Sequence, residues 1–207
     1  MRQIGFRLAA IFAAAMTLGL GLPLAVAPAQ AETFWQRVIR GGHDRPGAGR
    51  QQMSNTSPIA RQTVRYEGPH GPNTIVIDTS ERRLYYTLGN GRAIKYGVGV
   101  GRDGFTWSGS NRISRKAEWP GWTPPAQMIR REAAKGRKLP AYMPGGPNNP
   151  LGARALYIGS TLYRIHGTNQ PWTIGQAMSS GCIRMANDDV VHLYGQVNVG
   201  TRVVVRH

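Results

Sequence analysis

The chain has 207 residues, 26 Lys and Arg against 10 Asp and Glu, a formal net charge of +16, and a single cysteine, Cys182. One thiol excludes an internal disulfide. The basic balance favours anionic partners, but zinc-finger spacing, an aromatic RNA-reading strand and a basic reader helix are all missing, so nucleic acid is not expected as a partner.

Arg2 and Arg7 precede an apolar run from Leu8 to Leu22, broken by Gly19 and Gly21, and Ala29-Gln30-Ala31 follows as an A-x-A site. Residues 1–31 therefore read as a signal peptide, and the protein as exported to the periplasm or cell envelope. The run is shorter than the roughly 20 residues that span a bilayer, so no transmembrane helix is expected in the mature chain. A lipid-anchoring cysteine after the cleavage site is also missing, since none precedes Cys182. Residues 32–72, rich in Gly, Pro, Ser, Asn, Gln and Arg, read as a flexible basic linker. The folded domain is expected over 73–207, long enough for one real core.

Inside that domain the pattern is mostly β. Thr74–Asp78 and Arg83–Leu88 are short β-rich runs, and Gly89-Asn90-Gly91 signals a turn into a strand from Ala93 to Val100. From Gly101 to Gly152 an insertion holding Trp107, Trp119, Trp122 and Tyr142 reads as a wall or lid. Within it, Thr123-Pro124 reads as the start of a helix ending near Gly136. Ala155–Ile158 and Tyr163–His166 give a second strand pair, Asn187 reads as the cap of a short helix ending near Gly195, and Thr201–Val205 as the last strand. The expectation is a mainly β, sandwich-like domain with two short helices.

Cys182 sits in Ser179-Ser180-Gly181-Cys182-Ile183-Arg184, with His166 sixteen positions before it in His166-Gly167-Thr168. A thiol becomes a nucleophile as the thiolate, and a nearby imidazole can remove its proton. Small residues around the thiol let a reacting carbonyl approach and leave the Gly181 and Cys182 amides to face an oxyanion. Arg184 carries a planar fork suited to carboxylates, or pairs with Asp188 four positions on. Asp188 and Asp189 suit a helix N-terminus better than a catalytic role. Trp172 and Tyr163 are candidates for cleft walls. The histidines lack metal-ligand spacing, so no metal or other cofactor is expected.

These residues resemble the signature of the L,D-transpeptidase catalytic domain, the YkuD-like family that remodels bacterial peptidoglycan. His166-Gly167-Thr168, Ile174-Gly175, Ser179, Gly181-Cys182-Ile183-Arg184 and Asn187-Asp188-Asp189 follow the family pattern, with Asn149-Pro150-Leu151-Gly152 upstream. Ser180 departs from it, standing where the family usually has histidine. The resemblance implies a mixed-sheet β fold, Cys182 as nucleophile and His166 as base. It also implies that the Gly167 carbonyl orients the imidazole, and that Thr168, Ser179, Ser180, Trp172 and Arg184 contact substrate. The implied substrates are peptidoglycan stem peptides, and the implied reaction is a thioester formed on a tetrapeptide and passed to an amine, giving a 3→3 cross-link or attaching an envelope protein. Carbapenems are implied inhibitors. Hydrolysis of the same peptides, or wall binding without catalysis, are the competing readings.

Overall fold

The computed structural model describes residues 55–207; the expected signal peptide, and the expected linker up to residue 54, lie outside the described residues. Eleven strands form a nine-stranded mixed sheet and a separate two-stranded one. The strands are β1 (Gln62–Arg65), β2 (Thr74–Asp78), β3 (Arg83–Gly89), β4 (Arg92–Gly97), β5 (Val100–Gly101), β6 (Gly109–Glu118), β7 (Arg154–Ile158), β8 (Arg164–His166), β9 (Ala177–Ser179), β10 (Ile183–Arg184) and β11 (Arg202–Arg206). The large sheet runs β1-β4-β3-β2-β11-β6-β7-β8-β10, and β5 pairs with β9. Three of the pairings are parallel: β11 with β2, β10 with β8, and β5 with β9.

The run Thr74-Ile75-Val76-Ile77-Asp78 is buried at every position, as a strand between two neighbours and covered on both faces should be. β6 is the corner. Residues 109–112 pair with β11, whereas 113–118 pair with β7 after a register shift between Ile113 and Arg115. A strand that changes partners at an irregularity lets the two halves of the sheet turn toward each other. Ile75, Leu84, Tyr96, Ile113, Leu156, Ile165, Ile183, Leu193 and Val203 meet in one core between them.

Three expectations need correction. The tract read as linker up to residue 72 contains β1, which pairs with β4 through Gln62–Lys95 to Arg65–Arg92. The stretch 101–152 is not one lid, because β6 occupies 109–118 at the heart of the sheet. Its one fully buried side chain is Ile113, so it shows no apolar alternation to read. The expected strand from Ala93 to Val100 breaks into β4 and β5, because Val98 N–H turns to Arg82 O (3.1 Å) and Gly99 exchanges two hydrogen bonds with Arg184.

Only the later part of 101–152 covers the cleft. It carries helix α1 (Ala126–Ala133), which Thr123 does not cap; Pro125 holds that position, and the chain leaves the helix through Gly136 at φ +71°. The two ends of the segment are tied by Trp122 and Met143, each N–H donating to the other's carbonyl at 2.8 Å. The second helix, α2 (Asn187–Gln196), follows β10 and carries Asp188 and Asp189 in its first turn. Those two acids complement the helix dipole. Asp189 is buried and pairs with Arg61 at 3.1 Å.

Candidate active site

The site follows from strand periodicity. β8 and β10 run parallel with Ile165 opposite Ile183 and His166 opposite Arg184. Both isoleucines are buried in the core. Side chains alternate across a strand, so Arg164, His166, Cys182 and Arg184 are sent to the other face. All four line one cavity of about 220 Å3, with Phe105 from the loop before β6 and Met128 and Arg131 from the covering segment.

The turn before Cys182 depends on Gly181, whose φ is +106° and whose missing Cβ would stand 2.4 Å from the Tyr163 ring. Ser179 braces it. Its hydroxyl donates to Cys182 O at 2.6 Å and accepts the Gly181 N–H at 3.1 Å. The Gly181 amide is thus not free for an oxyanion, contrary to expectation. Among the described residues the Cys182 amide makes no hydrogen bond and is the donor left for that role.

His166 is buried, and its Nδ1–H donates to Gly167 O at 2.6 Å. A carbonyl can only accept, so Nδ1 carries the proton and Nε2 keeps its lone pair. Gly167 is held from behind by Asn187, whose Oδ1 accepts from Ala153 N (3.0 Å) and Thr168 N (3.3 Å). A Cβ on either Gly152 or Gly167 would fall 2.3 Å from that oxygen, which is why both positions are glycine. Asn187 therefore fixes the loop that orients the imidazole, and Ala186 holds the cap position of α2 that was expected for it.

Electrostatics keep both reactive groups neutral. Burial, then the Arg184 charge, push the His166 imidazole down to about 3 against the partly opposing Gly167 bond, and Arg164 adds to the fall. Burial raises the Cys182 thiol, while Arg164 and Arg184 pull against that rise. The thiol donates to Leu162 O at 3.7 Å rather than to the imidazole. Burial thus works against the ionised form of both groups.

Of the residues singled out from the sequence, Cys182, His166, Thr168, Ser179, Ser180 and Arg184 come together in this cavity. Thr168 Oγ1 is spent on Gln170 N–H (3.0 Å), and Ser180 accepts from Arg131 Nη2 at 3.1 Å. Tyr163 lines the wall and stacks on Trp107 at 4.9 Å. Trp172 does not line the cavity; it lies on a 3-10 turn (Pro171–Thr173) with 48% of its surface exposed. Arg184 has no carboxylate within ion-pair distance among the described residues, so the Asp188 pairing is absent. Arg164 was missed, although its position two residues before His166 on a strand put it on the same face. Arg131 and the bracing role of Asn187 carried no local signal. Among the described residues, no cluster of three His, Cys, Asp or Glu is placed to hold a metal, and no helix is long and apolar enough to cross a membrane.

The YkuD family, the L,D-transpeptidase catalytic domain, matches residues 72–205. The probable L,D-transpeptidase ErfK/SrfK of Escherichia coli K12 is 42% identical over 165 residues, covering 77% of this chain and 50% of the relative. The probable L,D-transpeptidase YbiS of the same organism is 45% identical over 134 residues, covering 62% and 43%. The chain spans about half the length of these curated relatives. A solved L,D-transpeptidase from Mycobacterium smegmatis shares the fold at TM-score 0.51 and 18% identity, covering 65% of this chain and 58% of that one. With the match extending from β2 into β11 and including the cavity face of β8 and β10, the chain belongs to the YkuD family of L,D-transpeptidase catalytic domains.

Proposed function

We propose that this protein is a cysteine-dependent L,D-transpeptidase of peptidoglycan stem peptides, with Cys182 as nucleophile and His166 as base. The observation that carries the reading is the common face of β8 and β10, which turns a thiol and an imidazole with a free Nε2 into one cavity. The donor is a tetrapeptide whose third residue is a diamino acid bonded through its L-centre to a terminal D-alanine.

In the first half-reaction Nε2 takes the thiol proton as sulfur attacks the third-residue carbonyl, and the Cys182 amide faces the developing oxyanion. The same imidazole returns the proton to the nitrogen of the departing D-alanine. A C–N bond breaks, a C–S bond forms, and a thioester remains. An amine then attacks the thioester carbonyl while Nε2 takes its proton; a C–N bond forms, the C–S bond breaks, and the proton passes back to Cys182 as the free thiol, giving a 3→3 cross-link or attaching an envelope protein. Residues 1–31 act as a signal peptide, so the reaction takes place in the periplasm or cell envelope.

The reading is tested by mass spectrometry of a tetrapeptide incubated with the purified protein. Loss of D-alanine with formation of a cross-linked dimer is expected. Release of D-alanine with free tripeptide as sole product would make the protein a hydrolase, and an unchanged tetrapeptide would leave it a binding module.

A further inference from the structure

The covering segment delivers a cation that the acyl-transfer chemistry above does not use. Arg131, on α1, lines the cavity, but its charge is not among those that move His166 or Cys182; Arg164 and Arg184 do that. Its guanidinium is held in place from three sides. Nη2 donates to Ser180 Oγ at 3.1 Å, Nε lies 3.4 Å from Glu132 Oε1, and the group sits 5.5 Å from the Phe105 ring centroid. Glu132 is buried and is shared: Arg137 donates to its other oxygen through Nε at 2.7 Å and through Nη2. One carboxylate thus faces two guanidinium groups, and one positive charge stays unbalanced at the cavity wall. No Asp or Glu lines that cavity.

We infer that Arg131 is a specificity-determining residue that binds a free carboxylate of the donor peptide beside the scissile amide. A planar fork with five donors, already oriented and partly desolvated, meets a carboxylate through paired hydrogen bonds at little cost in side-chain ordering. The Ser180 hydroxyl accepts from one of these donors and leaves the others to a ligand. The inference rests on the stem-peptide reading of the site. Two carboxylates of such a donor qualify: that of the terminal D-alanine, and that on the second centre of the diamino residue.

Calorimetric titration of tetrapeptide into Cys182→Ala protein, with and without Arg131→Gln, tests this apart from turnover. The glutamine variant is expected to weaken binding about 10- to 100-fold, the range for a lost hydrogen bond to a charged group. Arg131→Lys, which keeps the charge but not the fork, is expected to fall between. Two analogues identify the carboxylate: the peptide amidated at its terminus, and the peptide amidated on the diamino residue. The one that loses the bound carboxylate should bind both proteins equally. Equal binding of the unmodified peptide to both proteins overturns the role of Arg131 and leaves the proposed function standing, as does a loss of the same size with all three peptides, which marks a structural role. No binding by either protein, together with no D-alanine release by the wild type, overturns the stem-peptide reading and this inference with it.

Discussion

The neutral state of His166 makes a prediction about stability that needs no substrate. In the folded protein the imidazole is pushed down to about 3 from its ordinary 6.5. Below pH 6.5 the unfolded chain takes up a proton that the folded chain refuses. The stability this group contributes is therefore complete above pH 6.5 and is lost as pH falls from there toward 3. Each pH unit in that window costs about 1.4 kcal/mol, so at pH 4.5 the loss is about 2.7 kcal/mol. Set against a typical domain stability of about 5–15 kcal/mol, that is a large fraction. His166→Gln removes the titrating group and keeps a donor for Gly167 O. Urea melts at pH 7.5 and 4.5 are the assay. The loss between the two pH values should be about 2.7 kcal/mol smaller in the glutamine variant than in the wild type. Asp78, held low, adds to the acid loss and Asp189, held high, subtracts from it, but both act alike in the two proteins. Equal losses in both proteins would refute the reasoning and mean that the folded imidazole takes up its proton near the ordinary 6.5, as the unfolded chain does.

The same electrostatics predict that the rate of Cys182 alkylation by iodoacetamide rises steadily with pH through 8.5; a plateau between pH 5 and 7 would reveal a preformed thiolate. Ser179→Ala leaves the Cys182 carbonyl and the Gly181 amide without their partner, and should cost about 1–3 kcal/mol in thermal or urea unfolding along with most D-alanine release. Unchanged turnover would show that the brace is dispensable. A carbapenem should add once to the intact protein by mass spectrometry, the adduct vanishing in Cys182→Ala and forming slowly in His166→Gln. An adduct that persists without the thiol would put the reactive group elsewhere.

What the sequence made legible follows from where the information is local. Thr74–Asp78 and Ala155–Ile158 announce themselves as strands because their neighbours bury them on both faces, and burial demands β-branched and apolar side chains. Cys182 and His166 stand out because a thiol and an imidazole in glycine-rich surroundings have few other uses. β6 was hidden: one buried side chain in ten residues leaves nothing for a periodicity to detect, and its place is set by the two strands that pair with it. β1 was lost for the same reason, as a four-residue edge strand with no buried side chain. The Gly181 amide looked available because a sequence cannot tell which partner a backbone group takes; here it is a hydroxyl two residues back. Arg131 lies 49 positions before Ser180, and only the folded chain brings the two within 3.1 Å.

The sign of the thiol's shift has a consequence for a protein with one unpaired cysteine. Oxidants attack thiolates, so under the proposed export to the cell envelope a strongly acidic Cys182 would be open to oxidation. Burial pushes the Cys182 thiol up, against the pull of Arg164 and Arg184, and so disfavours the thiolate. Reactivity then depends on His166 accepting the proton, and in the free site Arg164 and Arg184 oppose that by repelling an imidazolium. An anionic peptide entering the cavity offsets the two cations and makes the imidazole more basic at the moment a carbonyl is within reach. Under the proposed reaction, activation of the thiol would thus be coupled to occupancy of the site through the charges of Arg164 and Arg184.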